Sequence, residues 1–399
     1  MKGKSLKSKD LTYYTFQLIR KPVKFYLHRR FNLKLIRNEA LDDKGPFLLI
    51  GNHVTAFDPI IALVYFKPLI KWVAADANFE NKLKRFFMKV ARVIPITKRY
   101  ADMRSIRQLM KEVKAGNAVG LFPEGGRTWC GKSEEVIKST AKLIKFLGVK
   151  VYCQKLKGAY ISDSRWSKTN HKGRVDIEID LMLTSEEIKN MSPTEIDEVL
   201  NQKLYHNDYD YQKKRMVKLS GNDRAEYIER VIYVCPNCKS IHSFFSAGDF
   251  FTCKNCFAQG KINEYGFIEG DFPYDNLVIW NKFQKEYLFT HLNNNEIEPI
   301  KLFDVAYKFK KEQEKKATLI NFFLNPQNII IEDKGTFKKI AYNQISEASI
   351  TFKNTLIFYE NKVRHEFVIE PFLHNNASIV YIKEIINYLR NNREGKLDI

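Results

Sequence analysis

Two closely spaced cysteine pairs constrain the fold of this 399-residue chain more than any other feature of its sequence. Residues 235–238 read Cys-Pro-Asn-Cys, residues 253–256 read Cys-Lys-Asn-Cys, and each pair follows a β-prone run. Two tight turns of this kind bring four thiolates to one point, tetrahedrally arranged at about 2.3 Å from a central ion. The sequence therefore predicts one structural Zn²⁺ ion, with iron or redox-active disulfides as the alternative. The predicted ligands are Cys235, Cys238, Cys253 and Cys256.

The charge of the chain is strongly positive and unevenly distributed. Lys and Arg number 66 against 46 Asp and Glu, a net charge of +20, and residues 1–114 hold +16 of it. Such an excess favours an anionic partner, for example a membrane surface, a nucleic acid or an acidic carrier protein. Lys or Arg interrupts every apolar run before the ~18 residues that a spanning helix needs, and the N-terminus lacks a secretory signal pattern. We expect a cytoplasmic protein that is peripheral on the inner face of the cell membrane.

The N-terminal segment, residues 1–32, mixes basic and aromatic side chains. Nine Lys or Arg and one acidic residue lie within residues 1–30, beside several Tyr and Phe residues. Long cationic side chains extend to lipid headgroups while rings enter the interface, so this pattern predicts an amphipathic segment that associates with an anionic membrane. Pro22 is expected to break the helix. The alternative is a helix that packs on its own domain and exposes its lysines to water.

The middle of the chain alternates strand-like and helix-like patterns. Between residues 33 and 210, short apolar runs such as 47–51 and 118–122 are separated by amphipathic stretches of helical length. This alternation is typical of an α/β domain. We predict a mixed sheet flanked by helices.

Residues 301–399 show a different periodicity, with short strand-like runs followed by one amphipathic helix. This pattern resembles the pleckstrin-homology-like (PH-like) or GRAM-like domain, which implies a β-barrel closed by a terminal helix. Residues 231–270 form the cysteine module. The remaining segments, 211–230 and 271–300, are predicted to be linkers.

A histidine and an aspartate follow the first strong strand of the α/β region. In a continuous helix, residues five apart lie ~140° from one another, so His53 and Asp58 meet only if the chain turns between them. Pro59 at a helix start, with Asp58 as the cap, supplies such a turn. A histidine held by a carboxylate is a general base of fixed orientation. The alternative is an ordinary histidine at a strand end beside a capping aspartate.

A second loop also follows a strand, and it reads Phe-Pro-Glu-Gly-Gly-Arg over residues 122–127. Its backbone N–H groups are able to face an anion while Arg127 grips phosphate oxygens in bidentate fashion. The alternative is a tight turn with a surface arginine.

Together the two segments resemble the motifs of the glycerolipid acyltransferase family. The first motif matches at Asn52, His53, Asp58 and Pro59, and the third at residues 122–125 and 127. Residues 92–98 resemble the second motif, with Lys98 at the place of a phosphate-binding cation. Residues 151–160 occupy the place of the fourth. The resemblance covers about residues 30 to 210, so residues 33–210 are expected to form an acyltransferase domain.

The resemblance implies transfer of a fatty acyl group from an acyl-CoA or acyl-carrier-protein thioester to the free hydroxyl of a lysophospholipid. With 1-acylglycerol-3-phosphate as acceptor the product is phosphatidate. His53 would be the general base and Asp58 its orienting partner, with no covalent enzyme intermediate. Glu124 would bind the glycerol hydroxyls or brace its loop. The residues expected to bind substrate are Asn52, Lys98, Glu124, Gly125, Gly126 and Arg127. The alternatives are a different lysolipid acceptor, or a lipid-binding scaffold without turnover.

The cysteine module resembles a zinc ribbon, a fold that often binds nucleic acid. A nucleic-acid binder concentrates positive charge on the binding module. Within residues 231–270, however, three Lys offset three acidic residues. We therefore expect no nucleic-acid partner. With cysteine at all four ligand positions, catalysis by this metal is not expected either.

Overall fold

The computed structural model describes residues 11–75, 85, 88, 92–96, 103–294, 296, 299–311, 314–361 and 363–393. The chain divides into two compact units. The first comprises residues 1–164 and 172–219, and the second comprises residues 165–171 and 220–399.

The first unit is built on a mixed sheet of seven strands, in the order β1-β7-β6-β2-β5-β3-β4. Strands β6, β2, β5, β3 and β4 run parallel, and β7 pairs antiparallel with β6. At the edge, β1 runs parallel to β7, and Leu33 pairs with Val175. The predicted mixed sheet with helices is confirmed. The strands are β1 (Leu33–Asn38), β2 (Leu48–Gly51), β3 (Lys71–Ala75), β4 (Ile94–Ile96), β5 (Val119–Leu121), β6 (Val151–Lys157) and β7 (Val175–Leu183).

Both faces of this sheet are covered, since consecutive residues from Phe47 to Ile50 are fully buried. On one face, alternate strand residues such as Ile50 and Val119 join a buried core with Ile144 and Leu200. On the other face, Phe47 packs against Phe66 and Tyr152. The described helices of this unit are α1 (Leu11–Phe31), α2 (Asp58–Tyr65), α3 (Met103–Lys114), α4 (Ser139–Leu147), α5 (Ala159–Ser162), α6 (Ser185–Asn190), α7 (Pro193–Leu204) and α8 (Asp208–Arg215).

Helix α1 runs through Pro22 without a break, so the predicted interruption is wrong. Pro22 lies on the exposed side of α1. Water is able to satisfy the carbonyl that loses its N–H donor there, which limits the cost of proline to a local effect. The opposite side of α1 is anchored to α2, where Arg20 Nη2 donates to the carbonyl of Val64 at 2.9 Å. Throughout the described residues, every helix is too short or too polar to cross a membrane.

The cysteine module contains a four-stranded antiparallel sheet in the order β11-β10-β9-β8. Its strands are β8 (Phe244–Ala247), β9 (Phe250–Cys253), β10 (Gln259–Ile262) and β11 (Ile268–Gly270). Residues 271–300, predicted as a linker, contain helix α9 (Leu277–Asn293). The fully buried Trp280 of this helix packs edge-on against Phe244 and Phe251 of the sheet. The helix thus contributes to the core of the module.

The chain then forms a curled antiparallel sheet of seven strands, in the order β15-β14-β13-β12-β18-β17-β16. Helix α10 (Ile379–Arg393) follows it, with Ile382, Ile385 and Ile386 fully buried. The predicted run of strands ending in one helix is therefore present. The strands are β12 (Ile300–Lys311), β13 (Glu314–Leu324), β14 (Asn328–Asp333), β15 (Thr336–Ala341), β16 (Ser349–Thr351), β17 (Thr355–Glu360) and β18 (Val363–Val368).

Candidate active site

His53 and Asp58 meet beyond the end of β2. His53 Nδ1 lies 2.8 Å from Asp58 Oδ2, because the chain turns between them as the sequence indicated. The expected capping role of Asp58 is wrong, since Asp58 is the first residue of α2 and Phe57 occupies the cap position. The carboxylate instead faces back toward the turn, accepting hydrogen bonds from the N–H groups of Val54 at 2.7 Å and Thr55 at 2.9 Å.

The surroundings of the pair fix the orientation of the imidazole. Asp58 is fully buried, and the Thr55 hydroxyl donates a further hydrogen bond to it at 2.7 Å. The ring of Phe122 stacks on the His53 ring at 4.2 Å, and Trp72 stacks on Phe122 at 4.7 Å. An imidazole whose Nδ1 faces a carboxylate accepts a proton at Nε2. The geometry of the His53–Asp58 pair is therefore that of a general base and its orienting carboxylate.

Glu124 joins the two loops of the site. Its Oε1 accepts the backbone N–H of His53, and its Oε2 accepts that of Glu134, each at 3.0 Å. Burial raises the pKa of Glu124 to about 8, although these two N–H groups favour the charged form. Since both carboxyl oxygens contact backbone, the geometry matches the bracing role that the sequence left open.

Asn52, expected to bind substrate, ties β2 to β6. Its Nδ2 donates to the carbonyl of Leu156 at 3.0 Å, and its Oδ1 accepts the N–H of Leu156 at 2.9 Å. Gly125 has φ of +68°, and a Cβ there would lie 2.9 Å from the Ile137 side chain. At Gly126, a Cβ would meet no atom within 4 Å. The hydrogen bonds of Asn52 thus account for an amide at this position, and the backbone conformation of Gly125 accounts for a glycine. At Gly126, the lack of a side chain leaves open space beside the loop.

Arg127 follows this loop and is partly buried. Burial lowers the pKa of Arg127, whereas the negative charges of Asp58 and Asp163 act in the opposite direction. The guanidinium keeps its charge, since arginine is not deprotonated in proteins. Asp163 also forms an ion pair with Arg30 at 3.7 Å. Lys98, the second cation predicted for phosphate binding, lies outside the described residues.

A cavity next to His53 has lining residues that the sequence did not indicate. Besides His53 and Glu124 from the predicted site, it is lined by Ser133, His206 and Asp208. The signal in the sequence is only a His-Asn-Asp triplet at the end of the predicted α/β region. Such a triplet is common by chance. Its position beside His53 depends on contacts between segments far apart in the chain.

The four cysteine sulfurs of the second unit lie within 4.8 Å of one another. Sγ of Cys235 is 3.8 Å from that of Cys256, and Sγ of Cys238 is 3.7 Å from that of Cys253. Four sulfurs at about 2.3 Å from a tetrahedral zinc ion are about 3.8 Å apart. The spacing and the thiolate donor set therefore fit Zn²⁺.

Comparison with known proteins places the first of these sites in a family. Residues 32–153 match the family model described as Acyltransferase, a range that includes both His53 and Arg127. This segment is thus similar to the acyltransferase family. The predicted resemblance to glycerolipid acyltransferases is thereby confirmed for this part of the chain, whereas the zinc-ribbon and PH-like resemblances stay predictions.

Two curated relatives carry the description 1-acyl-sn-glycerol-3-phosphate acyltransferase. That of Bacillus subtilis is 30% identical over 128 residues, which are 32% of this chain and 62% of that protein. That of Borreliella burgdorferi is 25% identical over 121 residues, which are 29% of this chain and 46% of that protein. This chain thus spans less than two thirds of the length of either acyltransferase-family relative.

Among solved structures, the chain is similar to the 1-acyl-sn-glycerophosphate (LPA) acyltransferase PlsC from Thermotoga maritima. The two share 16% sequence identity with a TM-score of 0.44, over 51% of this chain and 81% of that one.

Proposed function

We propose that the chain is an O-acyltransferase that moves a fatty acyl group from a CoA or acyl-carrier-protein thioester to the free hydroxyl of 1-acylglycerol-3-phosphate, forming phosphatidate. The observation that carries this proposal is the 2.8 Å contact between His53 and the buried Asp58 within the matched segment. The descriptions of the two relatives support the choice of acceptor.

In the proposed reaction, His53 Nε2 takes the proton of the acceptor hydroxyl as its oxygen attacks the thioester carbonyl carbon. The bond to sulfur then breaks, and the ester and the free thiol are the products. Asp58 stabilises the imidazolium that forms, since its carboxylate is held by the backbone of Val54 and Thr55 rather than by solvent. No covalent enzyme intermediate is required.

Arg127 and Lys98 are proposed to bind the phosphate of the acceptor. A guanidinium donates two parallel hydrogen bonds to phosphate oxygens, and its partial burial strengthens such contacts. Gly126, which has open space beside it, permits close approach of a ligand to the loop. Glu124 is proposed to keep the two loops together through its contacts with His53 and Glu134.

The test is the effect of His53→Ala and Asp58→Asn on transfer from acyl-CoA to lysophosphatidate in mixed micelles, with products identified by mass spectrometry. Removal of a general base lowers turnover by ~10²–10⁴-fold, so the turnover of His53→Ala is expected to fall within or beyond this range while lysophosphatidate still binds. Asp58→Asn is expected to behave in the same way, because an amide cannot balance the charge of the imidazolium. His291→Ala, which alters a partly exposed histidine of α9, is the matched control and is expected to keep full activity. Near-normal turnover by His53→Ala would favour a lipid-binding scaffold instead.

We also propose that α1 binds an anionic membrane surface peripherally. Its exposed side carries Leu18, Ile19, Phe25 and Tyr26, whereas Leu27 and Phe31 on the other side are buried. Lys21, Lys24 and Arg29 lie among the exposed residues. Exposed apolar side chains flanked by cations are typical of helices that lie in the membrane interface.

For the second unit we propose that the four cysteines bind one structural Zn²⁺ in a zinc ribbon, and that the curled sheet with α10 is a PH-like domain used in regulation or docking. The spacing of the sulfur atoms supports the first proposal. The strand order, with one helix after the last strand, supports the second.

A further inference from the structure

A second histidine–aspartate pair lines the same cavity as His53. His206 Nε2 lies 2.5 Å from Asp208 Oδ1. Asp208 is almost fully buried, and its carboxylate accepts the N–H groups of Gly158 at 2.7 Å and Tyr160 at 2.6 Å. This is the construction seen at His53, where a buried aspartate held by backbone N–H groups orients an imidazole.

Hydrogen bonds to residues 131–133, which follow Arg127 in the chain, fix the backbone around His206. Ser133 N–H donates to the carbonyl of His206 at 2.9 Å, and His206 N–H donates to Ser133 Oγ at 3.0 Å. Nearby, Asp208 N–H donates to the carbonyl of Gly131 at 2.9 Å. The imidazole is therefore held at a defined place in the wall of the cavity, with 12% of the side chain exposed.

The charges around the cavity favour proton transfer over anion binding. Its ionisable residues, among those the structure describes, are His53, Glu124, His206 and Asp208, with no Lys or Arg. Phosphate groups are recognised by arginine and lysine, and a carboxylate close by opposes them. An imidazole beside a carboxylate, in contrast, readily holds and donates a proton.

We propose that His206, in its imidazolium form, is the general acid that protonates the departing thiolate. This inference rests on the acyl transfer proposed above. As the acceptor oxygen bonds to the carbonyl carbon, the bond from carbon to sulfur breaks and its electron pair stays on sulfur. The proton goes from His206 Nδ1 to that sulfur, since Nε2 is bound to Asp208. His53 holds the hydroxyl proton, and exchange with solvent then returns both rings to their starting states.

The experiment compares thioesters whose thiols differ in acidity. The variant is His206→Gln, because a Gln side chain keeps an N–H near the position of Nε2 for Asp208 but carries no titratable proton. One acyl donor is the CoA thioester, and the other is the 4-nitrothiophenyl thioester of the same acyl chain. The thiolate of the second donor is a weak base and departs without a proton. Initial rates to lysophosphatidate are measured for wild type, His206→Gln and His53→Ala.

We expect His206→Gln to lose ~10²-fold or more with the CoA thioester, and less than about threefold with the aryl thioester. His53→Ala is expected to lose activity with both donors. A loss by His206→Gln that is equal for the two donors, or absent for both, would overturn the inference and leave the acyl transfer standing. If wild type transferred no acyl group from either donor, both proposals would be wrong.

Discussion

Glu124 is a carboxyl group whose ionisation is opposed by the fold. Burial raises its pKa to about 8, whereas a carboxyl group in an unfolded chain titrates near 4.3. Between about pH 4.3 and pH 8 the folded protein therefore holds a proton that the unfolded chain releases. It follows that the contribution of Glu124 to stability is complete at low pH and declines as the pH rises through this window.

Replacing Glu124 by Gln removes this dependence on pH. The amide has one oxygen, so it keeps one of the contacts to the N–H groups of His53 and Glu134 and loses the other, a cost that does not vary with pH. In urea unfolding from pH 5 to pH 8, the free energy of unfolding of wild type is expected to fall relative to that of Glu124→Gln. The fall is on the order of 1 kcal/mol per pH unit at the steepest point. A difference between the two proteins that stays constant over this range would show that Glu124 titrates normally.

At the same scale, the sequence predicts His53, Asp58, Glu124 and Arg127 as site residues because each lies in a short segment just after a strand. The position of a residue within such a segment is harder to predict, and Asp58 belongs to the helix rather than to its cap because its carboxylate bonds back to Val54 and Thr55. His206 could not be predicted, because it reaches the cavity through hydrogen bonds to Ser133, in a loop distant along the chain.

At the scale of single elements, helix α1 has one side that packs in the core and one side that is exposed to solvent. Leu27 and Phe31 are buried, while Leu18 and Phe25 are 79% and 65% exposed. Deleting the helix would therefore open the core as well as remove the exposed surface. Substitutions confined to the exposed side separate these two effects.

The double substitution Leu18→Ser and Phe25→Ser is expected to weaken binding to vesicles that contain anionic lipid. Full burial of a Leu or Phe side chain contributes about 1.5–3 kcal/mol, so partial insertion of two such residues corresponds to a loss of roughly 10- to 100-fold in affinity. The matched control is Phe337→Ser, at a similarly exposed residue of β15. Equal co-sedimentation of the double variant and wild type would refute membrane binding by this side of α1.

Two features of the elements differ from the prediction. Residues 271–300 are predicted to be a linker, although Leu277, Trp280, Leu288 and Leu292 repeat at helical spacing in the sequence, and these residues are buried in α9. Helix α1 continues through Pro22 because this residue is exposed to solvent, and exposure cannot be predicted from composition. The alternation of strand-like and helix-like runs, in contrast, was enough to predict the mixed sheet, because each run is short and strongly patterned.

At the scale of the whole molecule, the chain has two units that each possess a core. The core of the cysteine module includes Phe244, Phe251, Phe272 and Trp280, in the same module as the four sulfurs. Binding of a structural zinc ion is coupled to local folding, so the ion is expected to stabilise the module directly.

Freshly purified protein is expected to contain one zinc per chain by elemental analysis. Cys253→Ser is expected to lower the metal content and to make residues 231–270 sensitive to protease, with protection of residues 47–58 unchanged. Cys153→Ala, at a buried cysteine outside the cluster, is the matched control and is expected to keep the metal. Metal-free wild type with four freely titrating thiols would contradict the zinc assignment.

The pairing of β1 with β7 also determines when the sheet is completed during synthesis. Among the described strands, β1 pairs with β7 alone, and Leu33 faces Val175 across that pair. At about 5–20 residues per second, a ribosome needs on the order of ten seconds to add the residues between them. Throughout that interval β1 has no partner strand, so the first of the described strands to emerge is among the last to be paired. A nascent chain that ends before residue 175 therefore carries an unpaired edge, which is open to contact with chaperones or with neighbouring chains.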